Sequence, residues 1–151
     1  MTQLKAGLAD YPFGLKQPDM IETFTGKRLK EITIPAILND EISNPDIRIS
    51  PNTLLLQAGV AEAAGRKLLA DNFKRAAELC RLSDEKIIAF YQALRPFRST
   101  RGELEAIAVE LEHTHNAPRC ADLFREAADI YQKRGFLKSA EDNLAGDRDN
   151  A

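Results

Sequence analysis

The feature that most constrains the fold of this chain is a change of pattern at Ser50-Pro51. Five of the seven prolines lie at or before residue 51, and the residues before Ser50 show little sustained periodicity. After Ser50, apolar residues recur at spacings of three and four, which is the period of an α-helix. The sequence therefore predicts an all-α chain: an irregular, extended, Pro-containing N-terminal arm over residues 1–49, a helical domain over 50–137 and a polar C-terminal tail over 138–151.

Local signals predict where the helices begin and end. Ser50 followed by Pro51, Ser83 followed by Asp84, and the capping box Thr100-x-x-Glu103 each predict a helix start, and Gly135 predicts a helix end. Residues 34–38 predict a short helix within the arm, and Asn116-Ala117-Pro118 separates the last two helices. The expected inward faces are Leu54, Ala58, Ala61 and Leu68; then Phe73, Ala76, Ala77 and Cys80; Ile87, Ile88, Tyr91 and Leu94; Leu104, Ile107, Ala108 and Leu111; and Ala121, Phe124, Ala127, Ala128 and Tyr131.

Charge and composition exclude several classes of protein. The 151 residues carry a net charge of −2, with +5 over residues 66–101 and −5 over 102–151, an asymmetry that fits electrostatic docking or two solvated helix faces. The two cysteines form no disulfide framework, the first ten residues lack the apolar run of a signal peptide, and no run is long enough to span a membrane. We therefore expect a cytoplasmic protein with no membrane association.

No residue pattern predicts catalysis or metal binding. His113 and His115 would point roughly 200° apart on a helix, so they could converge on one metal with Cys120 only if the helix ended by Thr114. That site would also need Glu112 or Asp122, and no zinc-ligand spacing is met, so we expect no metal site. Gly26-Lys27 resembles the end of a phosphate-binding loop but lacks its first glycine and its Ser/Thr, which favours an ordinary turn. The remaining polar candidates lack an apolar pocket or a nucleophile elbow: Ser50, Ser83, Ser99, Glu103, Glu105, Glu110 and Glu112.

The segment from Asn72 to Thr100 predicts a surface for binding another molecule. Its rigid corner Arg95-Pro96-Phe97-Arg98 places an aromatic ring between cations, and aromatic and Arg side chains are the usual anchors of protein interfaces. The same patch could hold phosphates and stack a base, but the acidic second half of the chain would repel nucleic acid. The predicted partner interface is Phe73, Arg75, Tyr91, Arg95, Pro96, Phe97 and Arg98.

Several longer runs carry a family resemblance. They extend over nearly the whole chain and include Asp10-Tyr11-Pro12, Thr25-Gly26-Lys27, Asp46-x-Arg48-Ile49-Ser50, Asn72-Phe73-x-Arg75-Ala76-Ala77-Glu78-Leu79, Ala93-Leu94-Arg95-Pro96-Phe97-Arg98-Ser99, Glu110-Leu111-Glu112 and Phe124-Arg125-Glu126-Ala127-Ala128. With these runs the chain resembles the small (gamma) subunit of adenosylcobalamin-dependent diol and glycerol dehydratases.

The resemblance implies a non-catalytic structural subunit of a radical hydro-lyase. The large and medium subunits of such an enzyme would bind substrate and adenosylcobalamin, in a complex that is a dimer of heterotrimers, and this chain would supply no catalytic, cofactor or metal residue. Some relatives carry an amphipathic N-terminal extension associated with packaging into a microcompartment, whereas ten residues precede Tyr11 here. We therefore expect packaging, if it occurs, through partner subunits.

Two expectations follow for experiment. Phe97→Ala is expected to weaken subunit assembly by about 2–4 kcal/mol, as truncation of a buried interface anchor does. The alternative function, a free-standing helical module that binds protein or nucleic acid, predicts salt-dependent binding of single strands by the isolated chain.

Overall fold

The computed structural model describes residues 6–139, and most of these residues are helical. The helices are α1 (Phe13–Lys16), α2 (Ile34–Leu38), α3 (Pro51–Ala63), α4 (Lys67–Leu79), α5 (Asp84–Ala93), α6 (Arg101–His113) and α7 (Pro118–Arg134), with 3-10 turns at Leu8–Asp10, Pro18–Met20, Leu29–Glu31 and Asn44–Ile47. Within this range, β-structure is limited to one isolated bridge between Glu22 and Arg28. The prediction of an all-α chain is confirmed.

Between residues 6 and 139, no helix is long and apolar enough to cross a membrane.

The chain divides into two compact units, Met1–Arg81 and Leu82–Ala151. The expected boundary at residue 49 and the helical domain over 50–137 remain predictions. Most of the predicted polar tail, residues 140–151, lies outside the described residues.

The core of the first unit is the hairpin of α3 and α4. Ala58, Ala61 and Ala70 are buried together, and Phe73 packs against them. Small side chains on both helices allow the two backbones to approach closely. The predicted stripe through Leu68 is wrong, because α3 ends at Ala63 and a turn follows, which leaves Leu68 on α4 with 83% of its surface exposed.

The turn between α3 and α4 depends on Gly65. Its φ of 73° is left-handed, and the N–H of Arg66 donates to the carbonyl of Ala61 at 2.8 Å. This geometry closes a helix and favours glycine because it has no Cβ. The predicted continuous stripe failed here because Gly65 lies in the turn that ends α3.

The arm that precedes α3 is held by a buried carboxylate. Asp46 accepts hydrogen bonds from the Thr25 hydroxyl, from the Ser43 N–H at 2.7 Å and from the Ser43 hydroxyl at 2.8 Å. The Lys27 ammonium lies 3.0 Å from Oδ2, the oxygen that also accepts both Ser43 bonds, whereas the Thr25 hydroxyl donates to Oδ1. These donors, that of Thr25 first, hold the pKa of Asp46 far below its usual range. Gly26, with φ of 92°, lies in the turn that brings Thr25 and Lys27 to this carboxylate, so the interpretation of Gly26-Lys27 as a turn is confirmed.

The core of the second unit is the hairpin of α6 and α7. Leu104, Ala108 and Leu111 of α6 are fully buried, as is Ala121 of α7. The predicted capping box is confirmed: Thr100 Oγ1 accepts from the Glu103 N–H at 3.3 Å, and the Thr100 N–H donates to the Glu103 carboxylate at 2.7 Å. These local caps fix where α6 begins.

Helix α5 packs a different face from the one predicted. Ser83 caps it as expected, but Phe90 is the buried residue, and its ring meets that of Phe124 edge-on at 5.8 Å between centroids. Ile88 and Tyr91, predicted to face inward, are 60% and 67% exposed. Successive residues on a helix are 100° apart, so burial of Phe90 turns Tyr91 toward the surface.

Candidate partner interface

The corner after α5 is built by backbone hydrogen bonds to the segment that follows α7. The Phe97 N–H donates to the Phe136 carbonyl at 2.8 Å, and the Lys138 N–H donates to the Ser99 carbonyl at 2.9 Å. The buried Ser99 hydroxyl donates to the Ala93 carbonyl at 2.9 Å. The corner is therefore a fixed part of the second unit.

Phe97 has an unusual backbone conformation within this corner. Its φ is 64°, which is left-handed and costs a bulky residue roughly 1–3 kcal/mol. Its ring packs on Phe136 in a T-shaped arrangement with 5.6 Å between centroids, and the Phe136 ring meets that of Tyr131 at 6.2 Å. The Tyr131 hydroxyl donates to the Leu94 carbonyl. Even so, 51% of Phe97 stays exposed. The fold thus holds a strained aromatic residue partly in solvent.

Exposed cations flank the ring. Arg95 donates to the Gln92 side chain at 3.0 Å, and neither Arg95 nor Arg98 has a carboxylate partner among residues 6–139. Pro96 is exposed between them. Such a surface suits a partner that offers carboxylates around an apolar pocket.

The other predicted interface residues have different surroundings. Tyr91 is exposed on α5 in the same unit as the corner. Phe73 and Arg75 belong to the first unit, where Arg75 donates to the Asn72 side chain. Phe73 lines a groove of about 400 Å³ whose other walls are Leu8, Tyr11, Gln57, Val60, Ala61, Ala64, Arg66 and Leu69. Phe73 therefore has a packing role within its unit in addition to any contact with a partner.

Sequence reasoning missed the exposed aliphatic residues of the arm. Ile34, Ile37 and Leu38 on α2 are more than half exposed, and so are Ile47 and Ile49. The signal was present in the spacing of three and four within residues 34–38, which places three large apolar side chains on one helical face. The sequence prediction gave a short helix over residues 34–38 but assigned no role to its aliphatic side chains.

Residues 6–138 match the family model described as dehydratase small subunit. The chain belongs to the dehydratase small-subunit family. It is 46% identical over 137 residues to the propanediol dehydratase small subunit of Salmonella typhimurium, an alignment that covers 91% of this chain and 79% of the relative. It is 47% identical over 133 residues to the propanediol dehydratase small subunit of Citrobacter freundii, covering 88% of this chain and 77% of that protein.

The carboxylates of this dehydratase small subunit are arranged for structure. The ammonium of Lys86 bonds Glu110 and lowers its pKa, the N–H of Thr100 does the same for Glu103, and the guanidinium of Arg125 does so for Glu112. A lowered pKa makes a carboxylate a weaker base and leaves it ionised, the opposite of what a general acid needs. These groups therefore serve as ion-pair and capping partners.

The two histidines lie near the end of α6. His115 Nε2 is 3.3 Å from Glu110 Oε1, whereas His113 is exposed. Within residues 6–139, no group of three or more His, Cys, Asp or Glu side chains is arranged to hold a metal ion.

The resemblance implies a cobalamin cofactor, whose corrin carries many amide side chains that need hydrogen-bond partners. Across residues 6–139, no buried side-chain nitrogen or oxygen lacks a hydrogen-bond partner. In the groove beside Phe73, the side chains with polar groups are those of Tyr11, Gln57 and Arg66. A corrin would need far more polar partners than these three, so this groove does not fit the cofactor.

Proposed function

We propose that this chain is the non-catalytic, structural small subunit of an adenosylcobalamin-dependent diol dehydratase, which dehydrates 1,2-propanediol or glycerol to the aldehyde. The observation that carries the proposal is the identity of 46% and 47% to two propanediol dehydratase small subunits over most of this chain. The cofactor and substrate would be bound by the large and medium subunits, in a dimer of heterotrimers.

The described surface supports an assembly role. Phe97 is held rigidly and half exposed beside Arg95 and Arg98, which lack carboxylate partners in the described part of the chain. Burying such a group in a partner's pocket would offset the cost of displaying it in water. We propose that Phe73, Arg75, Tyr91, Arg95, Pro96, Phe97 and Arg98 contribute to the contacts with the other subunits.

The proposed location is the cytoplasm, with any packaging into a bacterial microcompartment supplied by the partner subunits. This location is supported by the family resemblance.

Co-expression with the large and medium subunits of the same source tests the proposal. The expected result is one complex that contains all three chains and dehydrates 1,2-propanediol or glycerol when adenosylcobalamin is added. A complex of large and medium subunits without this chain is the control. The proposal is refuted if this chain does not join the complex, or if the chain purified alone is active with added cofactor. Salt-sensitive binding of single-stranded nucleic acid by the isolated chain would instead favour the alternative function.

A further inference from the structure

Helix α2 displays its large side chains and buries its small one. Of the five residues Ile34–Leu38, Ala36 is buried, whereas Ile34, Ile37 and Leu38 are 74%, 51% and 77% exposed. Positions i, i+3 and i+4 are neighbours on a helix, so the three aliphatic side chains form one continuous face. A surface helix normally has the opposite arrangement, with its apolar face toward the core.

This exposed face is rigidly held. A helix of five residues is too short to be stable through its own propensity. Thr33 Oγ1 accepts from the Ala36 N–H at 3.3 Å at one end, and the Glu41 N–H donates to the Ala36 carbonyl at 2.9 Å at the other. The face is therefore preorganised, which lowers the entropic cost of binding.

Negative charge marks the C-terminal end of this face. Asp40 has no cationic partner among residues 6–139, and the Glu41 carboxylate accepts only from the Asn39 amide at 3.4 Å. The cation that reaches this segment, Lys27, bonds the Asp46 carboxylate and the Glu41 carbonyl, so neither the Asp40 nor the Glu41 carboxylate is its partner. A partner that covers the face gains by placing Lys or Arg beside Asp40.

We infer that α2 docks by its Ile34, Ile37 and Leu38 face into an apolar groove, rimmed by Lys or Arg, on another subunit of the dehydratase. The negative charge beside the face calls for a positively charged rim on the partner. The i, i+3, i+4 spacing of Ile34, Ile37 and Leu38 is that of a helix bound in a groove. The inference rests on the proposed function because the partner is a subunit of that complex. The surface is distinct in sequence from the Arg95–Arg98 corner and has the opposite charge.

The test uses the complex of three co-expressed subunits. The double variant Ile34→Ser, Leu38→Ser removes two anchors from exposed positions and should leave the small subunit folded, which circular dichroism checks. We expect its affinity for the large and medium subunits to fall at least about tenfold, as for truncation of interface anchors. Leu68→Ser is the matched control, because Leu68 is equally exposed on α4.

A charge reversal on this chain tests the proposed contact with a Lys or Arg rim on the partner. Asp40→Lys should weaken assembly, and the loss should be largest at low salt, where charge interactions are least screened. Glu126→Lys makes the same charge change at an exposed position of α7 and should have little effect.

The outcomes separate this inference from the proposed function. If the wild-type chain assembles and the double variant assembles equally well, or no worse than Leu68→Ser, the α2 inference is overturned and the proposed function stands. If the wild-type chain does not assemble, both fail. If the small subunit alone self-associates and the double variant abolishes the self-association, the α2 face binds a second copy of the chain, and the inference is also overturned.

Discussion

Truncation of Phe97 should weaken the complex by less than the sequence alone led us to expect. The estimate of about 2–4 kcal/mol assumed an anchor buried entirely by the partner. In the structure, the ring already packs on Phe136 in a T-shaped arrangement, and 51% of the residue is exposed. Only that exposed half can be newly covered. Burial of a whole Phe side chain contributes about 1.5–3 kcal/mol, so Phe97→Ala should cost roughly 0.8–1.5 kcal/mol of assembly, or about four- to twelvefold in Kd.

The same substitution should also loosen the second unit. Loss of the edge-to-face contact with Phe136 removes about 0.5–1.5 kcal/mol beyond the buried area. The two effects are separable, because urea unfolding reports the loss within the chain, and sedimentation of the complex across a concentration series reports the loss of affinity. Hydrogen exchange at Lys138, whose N–H bonds the Ser99 carbonyl, would locate the loosening at the corner.

Val109→Ala is the control for Phe97→Ala, since Val109 is also 51% exposed but lies on α6. It should leave the Kd unchanged. Phe97→Leu, which keeps an apolar side chain, should restore much of the affinity lost in Phe97→Ala. An unchanged Kd for Phe97→Ala would refute the reasoning, since the exposed half of the ring would then not be covered in the complex.

Three further predictions concern stability. The folded pKa of Asp46 lies below its unfolded value of roughly 3.9. The stabilising contribution of its carboxylate is therefore complete above about pH 3.9 and is lost as the pH falls below that value. Asp46→Asn should remove this loss and flatten the acidic part of a plot of unfolding free energy against pH. Gly59→Ala would place a Cβ 2.9 Å from the Ala6 carbonyl oxygen, so it should displace the segment around Ala6 and speed its amide hydrogen exchange. Gly102→Ala is the control, because its Cβ would meet nothing within 4 Å. It should stabilise α6 by up to about 1 kcal/mol, measured by thermal unfolding. Leu111→Ala, at a fully buried position, should lower the free energy of unfolding by about 2–5 kcal/mol in urea titration, and a change below 1 kcal/mol would show that the cavity collapses.

Helix ends were predictable because their signals are local. Ser83 and Thr100 cap helices through N–H groups three residues further along, and Gly135 ends α7 with φ of 69°. Such interactions need no other part of the chain, so spacing alone reveals them. The inward face of α6 was also predictable, since Leu104, Ala108 and Leu111 recur at spacings of four and three and so share one face of the helix.

Buried faces were less predictable where a helix is apolar on several sides. In α5, residues 87–91 are Ile, Ile, Ala, Phe and Tyr, so periodicity permits more than one orientation. The choice of Phe90 over Tyr91 was made by the ring of Phe124, which lies more than thirty residues away in the chain. Likewise, the sequence placed Phe97 at a turn but could not show that its ring packs on Phe136 or that about half of the residue stays exposed.

Local sequence signals were enough to predict that this chain is helical, where most of its helices start and stop, and which family it resembles, because caps, prolines and residue runs act over a few positions. Long-range packing was needed to make Asp46 the buried centre of the arm and to turn the aliphatic side chains of α2 to the surface. Both depend on groups far apart in the chain, such as Thr25 and Lys27 around Asp46, and contacts of that range are set by packing.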